Sequence, residues 1–281
     1  MPAPQATMLA NLIKPLIMAE QHEVPANYGG DDDFEYNKDF DHVKPKVPNP
    51  ADLIKAPGVD TITVDATDDI SKQIEEFVDE MCKGICTSWG NWQKAAMFTT
   101  GIINAVACQI TPGSLTSPVP MNTAMIMANT NVAGKPANFA LFVKAIATAI
   151  DTAWMAWQSG YMATIMFPPT FAAFPGPMHP PTPNIPIPLV AGSSPGDAMM
   201  KKSPLSGLML ANLSGVTPDA LTQILFDKIA EGFCTVFDTW KASTMITGVM
   251  GTGPVPSFAP PFAPVGPVVA GSIIPKPGVL V

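Results

Sequence analysis

Asn138-Phe-Ala-Leu-Phe-Val-Lys-Ala-Ile-Ala-Thr-Ala-Ile-Asp-Thr-Ala-Trp154-Met-Ala-Trp157-Gln is the stretch whose reading decides the fold. Phe139, Phe142, Val143, Ile146, Ile150, Ala153, Trp154 and Trp157 recur at intervals of three and four, as one buried helix face requires. The chain writes this helix twice more. Ile70, Ile74, Phe77, Val78, Met81, Ile85, Trp89 and Trp92 trace one copy, and Leu221, Ile224, Leu225, Ile229, Phe233, Phe237 and Trp240 trace another. Set side by side, Trp89/Trp92, Trp154/Trp157 and Phe237/Trp240 read as core-packing marks of a repeated helix, in preference to a ligand cage or a membrane anchor.

The repeat extends upstream. Met8-Leu-Ala-Asn11, Ile126-Met-Ala-Asn129 and Met209-Leu-Ala-Asn212 precede the three helices. Asn129 to Trp157 and Asn212 to Trp240 are both 28 positions, whereas Asn11 to Trp92 is 81, which puts an insertion of 53 residues in the first copy. Residues 1–18 then open repeat one, 19–69 form the insertion, 70–124 hold the first helix and a short arm, 125–203 form repeat two and 204–281 repeat three. Helix starts are expected at Thr67-Asp68-Asp69 and at Thr217-Pro218-Asp219, where a hydroxyl cap precedes acids or proline on the first turn.

Each helix is followed by a proline-rich arm. Phe167-Pro-Pro-Thr-Phe leads through Phe171, Phe174, Ile185, Ile187 and Leu189 to Val190-Ala-Gly-Ser193. The third arm runs from Gly251 through Phe258, Phe262, Val265 and Val268 to Val269-Ala-Gly-Ser272, and Ile110-Thr-Pro-Gly is a vestige in the first copy. Proline at this density opposes helix and most ladder pairing, so extended, polyproline-like arms are expected. Their gaps hold Phe, Ile, Val, Leu and Met rather than Ser, Glu and Lys. An extended apolar arm needs a surface to lie on, so these residues read as clamps laid across the repeat helices or neighbouring subunits.

The insertion holds 13 of the 23 acidic residues. Asp33-Phe-Glu-Tyr-Asn-Lys-Asp-Phe-Asp41 alternates as a half-buried strand does, and Thr61-Ile-Thr-Val-Asp65 offers a pairing partner. A calcium loop needs glycine at its sixth position and glutamate at its twelfth, and counting from Asp31 the twelfth residue is His42. The pattern fails, and a solvated acidic face is the better reading.

Composition narrows the function classes. The chain of 281 residues carries a net charge of −8 with only 14% charged residues, its basic side chains are all lysine, and its 32 prolines are roughly double the usual share. Without arginine or a basic patch, direct nucleic-acid binding is not expected. Cys82, Cys86, Cys108 and Cys234 lack histidines at ligand spacing and read as small buried thiols, so neither metal nor cofactor is expected. No nucleophile elbow or phosphate-binding glycine loop occurs, and His179 sits among prolines, so no catalytic residue and no enzyme is expected. The N-terminus lacks a basic region ahead of an apolar run, so no secretory signal is evident. Residues 145–167 are apolar enough for a membrane span, but Asp151 interrupts them, basic flanks are absent, and the matching helices are charged.

The expected fold is mainly α: three helix-plus-extended-arm repeats around a shared core, with a small strand-containing acidic insertion in the first. The expected function is a non-enzymatic structural protein whose partners are protein subunits of a larger symmetric assembly, by analogy a virion, phage-tail or injection-machine component. The alternative is a membrane-associated or pore-forming protein with lipid-facing helices.

Overall fold

The apolar stripes and the caps that end them account for the helices. The computed structural model describes residues 2–21, 60–257 and 265–281. Three long helices, α2 (Asp60–Ala95), α4 (Ala137–Gly160) and α6 (Ala220–Ser243), carry the repeated stripe, and three short ones precede them, α1 (Ala6–Gln21), α3 (Thr123–Asn129) and α5 (Lys202–Asn212). Each short helix contains or ends on one of the Ala-Asn pairs. Each also fills one groove between long helices: α1 packs on α2 and α6, α3 on α2 and α4, α5 on α4 and α6.

Two expected starts are corrected. The α2 helix begins at Asp60, not at Thr67-Asp68-Asp69, and absorbs Thr61–Asp65, which alternation had marked as a strand. No glycine or proline stands between Gly58 and Gly84 to stop a helix growing backwards from the stripe. In the third copy the cap is Asp219, whose carboxylate accepts the Thr222 amide at 2.7 Å, so Thr217 and Pro218 lie ahead of the helix. The strand expected over Asp33–Asp41 lies outside the described residues.

The fold class also changes. Among the described residues there are six helices and ten strands in three sheets, 51% helical and 18% strand, a mixed α/β fold rather than mainly helical repeats. After α2 come β1 (Met97–Phe98), β2 (Ile102–Asn104), β3 (Ala107–Ile110) and β4 (Leu115–Thr116); after α4, β5 (Ala163–Met166), β6 (Met178–Pro183) and β7 (Ile187–Pro188); after α6, β8 (Met245–Ile246), β9 (Met250–Pro254) and β10 (Gly271–Ile274). An antiparallel six-stranded sheet runs β5-β3-β2-β10-β9-β6, and β1-β4 and β7-β8 are short ribbons. The edge strands β5 and β6 come from the same arm, and the Ile185 amide just beyond β6 donates to the Met166 carbonyl of β5 at 2.7 Å. The sheet therefore curls until its two ends are bridged.

Proline did not prevent this pairing because of where it falls. Pro180 and Pro181 sit at the register shift between His179 and Thr182, and β6 is an edge strand, the two places where a missing amide donor costs no ladder bond. Strands of two to six residues, several without alternation, leave little periodic trace, which is why the arms read as featureless extended chain.

Candidate functional site

The core marks converge. Trp89, Trp92, Trp154, Trp157, Phe237 and Trp240 are each at most 1% exposed and form one aromatic cluster, with Trp92 and Trp154 edge to face at 4.8 Å and Trp157 and Phe237 at 5.2 Å. Two indoles are tied between units through the residue that follows each second tryptophan. Trp92 Nε1 donates to Gln158 Oε1 at 2.8 Å, and Trp240 Nε1 donates to Gln93 Oε1 at 2.9 Å. The third copy has Lys241 at that place. Lysine accepts nothing, so Trp157 Nε1 is left buried without a partner, and Lys241 pairs instead with Asp197 at 2.6 Å. Trp89 and Trp154 likewise keep buried, unpartnered indole N–H groups inside the cluster.

The arms bond back onto the ends of the same helices, in cyclic order. The Gly113 amide of the first arm donates to the Ser159 carbonyl at the end of α4 at 2.7 Å. Leu189 of the second donates to Thr244, just past α6, at 2.8 Å, and Gly278 of the third donates to Ala96, just past α2, at 2.9 Å. Each arm also pairs with the strand leaving its own helix: Thr116 with Met97, Ser193 with Met162, and Val281 with Met245. Every arm thus fastens its own helix to the next one round. Gly113 and Gly278 hold φ near +80°, a conformation that a side chain resists, which is why glycine marks two of the three tips. In the second arm a 3₁₀ turn over Pro195–Ala198 lies on α4 so closely that a Cβ at Gly196 would stand 2.3 Å from Trp157 N.

The sequence carried this clasp in a form the helix reading passed over. Met97, Met162 and Met245 each stand five residues after a tryptophan and two before a threonine, Thr99, Thr164 and Thr247. The Val-Ala-Gly-Ser match misaligned the arms: Val190–Ser193 lies at a tip, whereas Val269–Ser272 runs into β10 between β2 and β9.

The residues expected to form docking arms divide. Phe171, Leu189 and Val268 are fully buried within the chain, and Phe174 and Ile187 are half-buried against its core. Ile185 and Val265 are exposed, and Phe258 and Phe262 lie outside the described residues. His179 is an internal lock. Its ring stacks on Phe171 at 3.9 Å, Nδ1 donates to the Pro180 carbonyl at 2.8 Å, and Nε2 lies 3.0 Å from Thr170 Oγ1.

All four cysteines are buried free thiols. Burial pushes Cys86 and Cys108 up to about 12 and Cys234 to about 11, and it raises Cys82 further still. None is a thiolate near neutrality. Among the described residues no group of three or more His, Cys, Asp or Glu is placed to hold a metal ion. One cavity of about 220 Å³ lies between α2, α4 and α6, lined by Ile74, Phe77, Phe139, Phe142 and Leu225, with the Lys135–Glu76 ion pair among its lining residues. Asp151, the acid that interrupts the apolar run of α4, accepts from Thr123 N and Thr123 Oγ1, both at 2.9 Å, and so anchors the start of α3. The α4 stretch long and apolar enough to cross a membrane, Asn138–Gly160, turns Val143, Ile146, Ile150, Trp154 and Trp157 into the core.

Compared with protein-family models, with curated proteins and with solved structures, the chain matches none.

Proposed function

We propose that the chain is a non-enzymatic structural subunit occupying a threefold-symmetric position in a larger protein assembly. The cyclic clasp carries this reading. The same pair of bonds, arm to own exit strand and arm to next helix, occurs three times in one rotational sense. A monomer built this way presents three related outer faces, which match the three equivalent faces of a closed symmetric ring. Support also comes from the polar groups most apt for chemistry, His179 and the four thiols, all enclosed in packed surroundings.

The arms act first within the chain, and contact with neighbours falls to the side chains they leave outside, among them Met178, Ile185, Val190 and Val265. A virion, phage-tail or injection-machine component is the kind of assembly proposed, by analogy with low-charge, proline-rich parts of such machines. The test is to tag the chain in its native source and size the complex by chromatography with light scattering. A particle many times the mass of the chain is expected, with the chain on a threefold axis in electron micrographs. A free monomer in gentle extracts would contradict the proposal.

A further inference from the structure

Charge is segregated along this chain with unusual completeness. Residues 95–122, 161–196 and 242–281, the three stretches that follow the tryptophan ends of the long helices, hold one charged side chain, Lys276. Every aspartate and glutamate and all other lysines lie elsewhere. Since the whole chain carries −8, the remainder carries −9. The same stretches build all ten strands, so one end of the molecule is a β end almost without charge. It is also where exposed apolar side chains gather: Ile102, Met166, Met178, Ile185, Val265 and Ile274 are each 38–61% exposed.

The sheet presents a continuous outward row across five strands. Thr164, Gln109, Ile102, Ser272 and Thr252 are successive cross-strand partners, and all but the half-buried Thr252 are exposed. Hydroxyl and carboxamide groups each donate and accept. A surface made of them pairs with its own copy, which a surface of one charge sign cannot do.

We propose that this β end is a self-association surface on which a second copy of the chain docks, β end to β end about a twofold axis. The inference rests on the reading of the chain as an assembly component and names one of its contacts. Among the described residues outside the β end, fifteen acids stand against ten lysines, so two copies meeting there bring like charge together, whereas β ends meet without repulsion. The contact is face to face over the three adjacent strands that carry Gln109, Ile102 and Ser272, because the sheet curls and the Ile185–Met166 hydrogen bond bridges the edges that strand addition would use. A bilayer is the poorer occupant. Stretches such as Phe167–Pro177 are largely irregular, and lipid leaves irregular backbone carbonyls unpaired at several kcal/mol each.

The experiment is sedimentation equilibrium of the purified full chain across a concentration series. A reversible dimer is expected, little affected by salt. Gln109→Glu and Ser272→Asp each place a charge in the contact twice, and each is expected to weaken the dimer by about tenfold or more while leaving the thermal melt of the fold unchanged. Leu221→Glu, at an exposed site on the first turn of α6, is expected to leave the dimer intact. The inference is overturned by a monomer at every concentration, by a dimer indifferent to both β-end charges, by a dimer that only Leu221→Glu dissociates, or by a monomer that floats with neutral phosphatidylcholine vesicles. A purified monomer whose native form still migrates in a large particle overturns this contact alone and leaves the assembly reading standing.

Discussion

Replacing Gln93 and Gln158 with leucine separates the tryptophan–glutamine ties from simple packing. Each glutamine supplies the acceptor for an indole in another unit, and leucine keeps much of the volume while removing the acceptor. Trp92 is fully buried, so Gln158→Leu strands its N–H group; an orphaned buried donor costs about 1–3 kcal/mol. Gln158 is half-buried, so water reaches part of that site and the lower end, about 1 kcal/mol, is expected. Gln93 is 4% exposed, holds Trp240 Nε1 and also donates to the Leu280 carbonyl of the third arm, so its loss belongs near the upper end, about 2–3 kcal/mol. The assay is urea unfolding followed by tryptophan fluorescence and circular dichroism, with the midpoint falling and the slope unchanged. Lys241→Gln is the complementary variant. It offers Trp157 the missing acceptor but gives up the ion pair to Asp197, and the two effects offset to within about 1 kcal/mol. If both leucine variants unfold at the wild-type midpoint, or Gln158→Leu is the more damaging, the tie between units is refuted.

Other perturbations follow from the same geometry. Trp157→Ala empties a fully buried site and is expected to cost roughly 3–5 kcal/mol in the same urea assay; a neutral effect would remove that residue from the core. Gly278→Ala meets nothing nearer than the Lys94 carbonyl at 3.7 Å, so its cost is the φ near +80° alone, about 1–2 kcal/mol, and a stabilised variant would contradict the tip geometry. The cysteines predict a pH dependence. Their folded pKa values lie above the unfolded value of 9.0, so the folded state retains protons that the unfolded state releases, and stability falls as pH rises from about 9 toward 12. Replacing Cys86, Cys108 and Cys234 with alanine is expected to flatten that slope in urea midpoints measured between pH 8 and pH 11.

The helices were legible because each of their faces repeats over about five turns: Phe139 to Trp157 and Leu221 to Trp240 leave a periodic signal that no competing structure explains. Their packing was legible too, since the tryptophans recur at one spacing. The sheet was not. Its strands run two to six residues, Gly251 and Gly253 stand where a strand would show large side chains, and Pro180 and Pro181 occupy an edge and a register shift that only tertiary pairing creates. The start of α2 was misread because Thr61–Asp65 alternates over too few residues to distinguish two periods. The arms were recognised by composition but placed wrongly. Phe171, Leu189 and Val268 are apolar because they are interior to this chain, and composition does not say whose interior an apolar residue fills. The methionine and threonine that follow the last tryptophan of each long helix were present three times, and they are the trace of the clasp.

Amide hydrogen exchange at Gly113, Leu189 and Gly278 tests the cyclic clasp most directly. These three amides lie at arm tips, where exchange within seconds is ordinary, yet each donates to the end of the next long helix round. The account predicts that all three exchange only through global unfolding, with protection equal to that of the α4 interior and lowered together by Gly278→Ala. Rapid exchange at the three tips while α4 remains protected would show the arms detached from the helices and would contradict it.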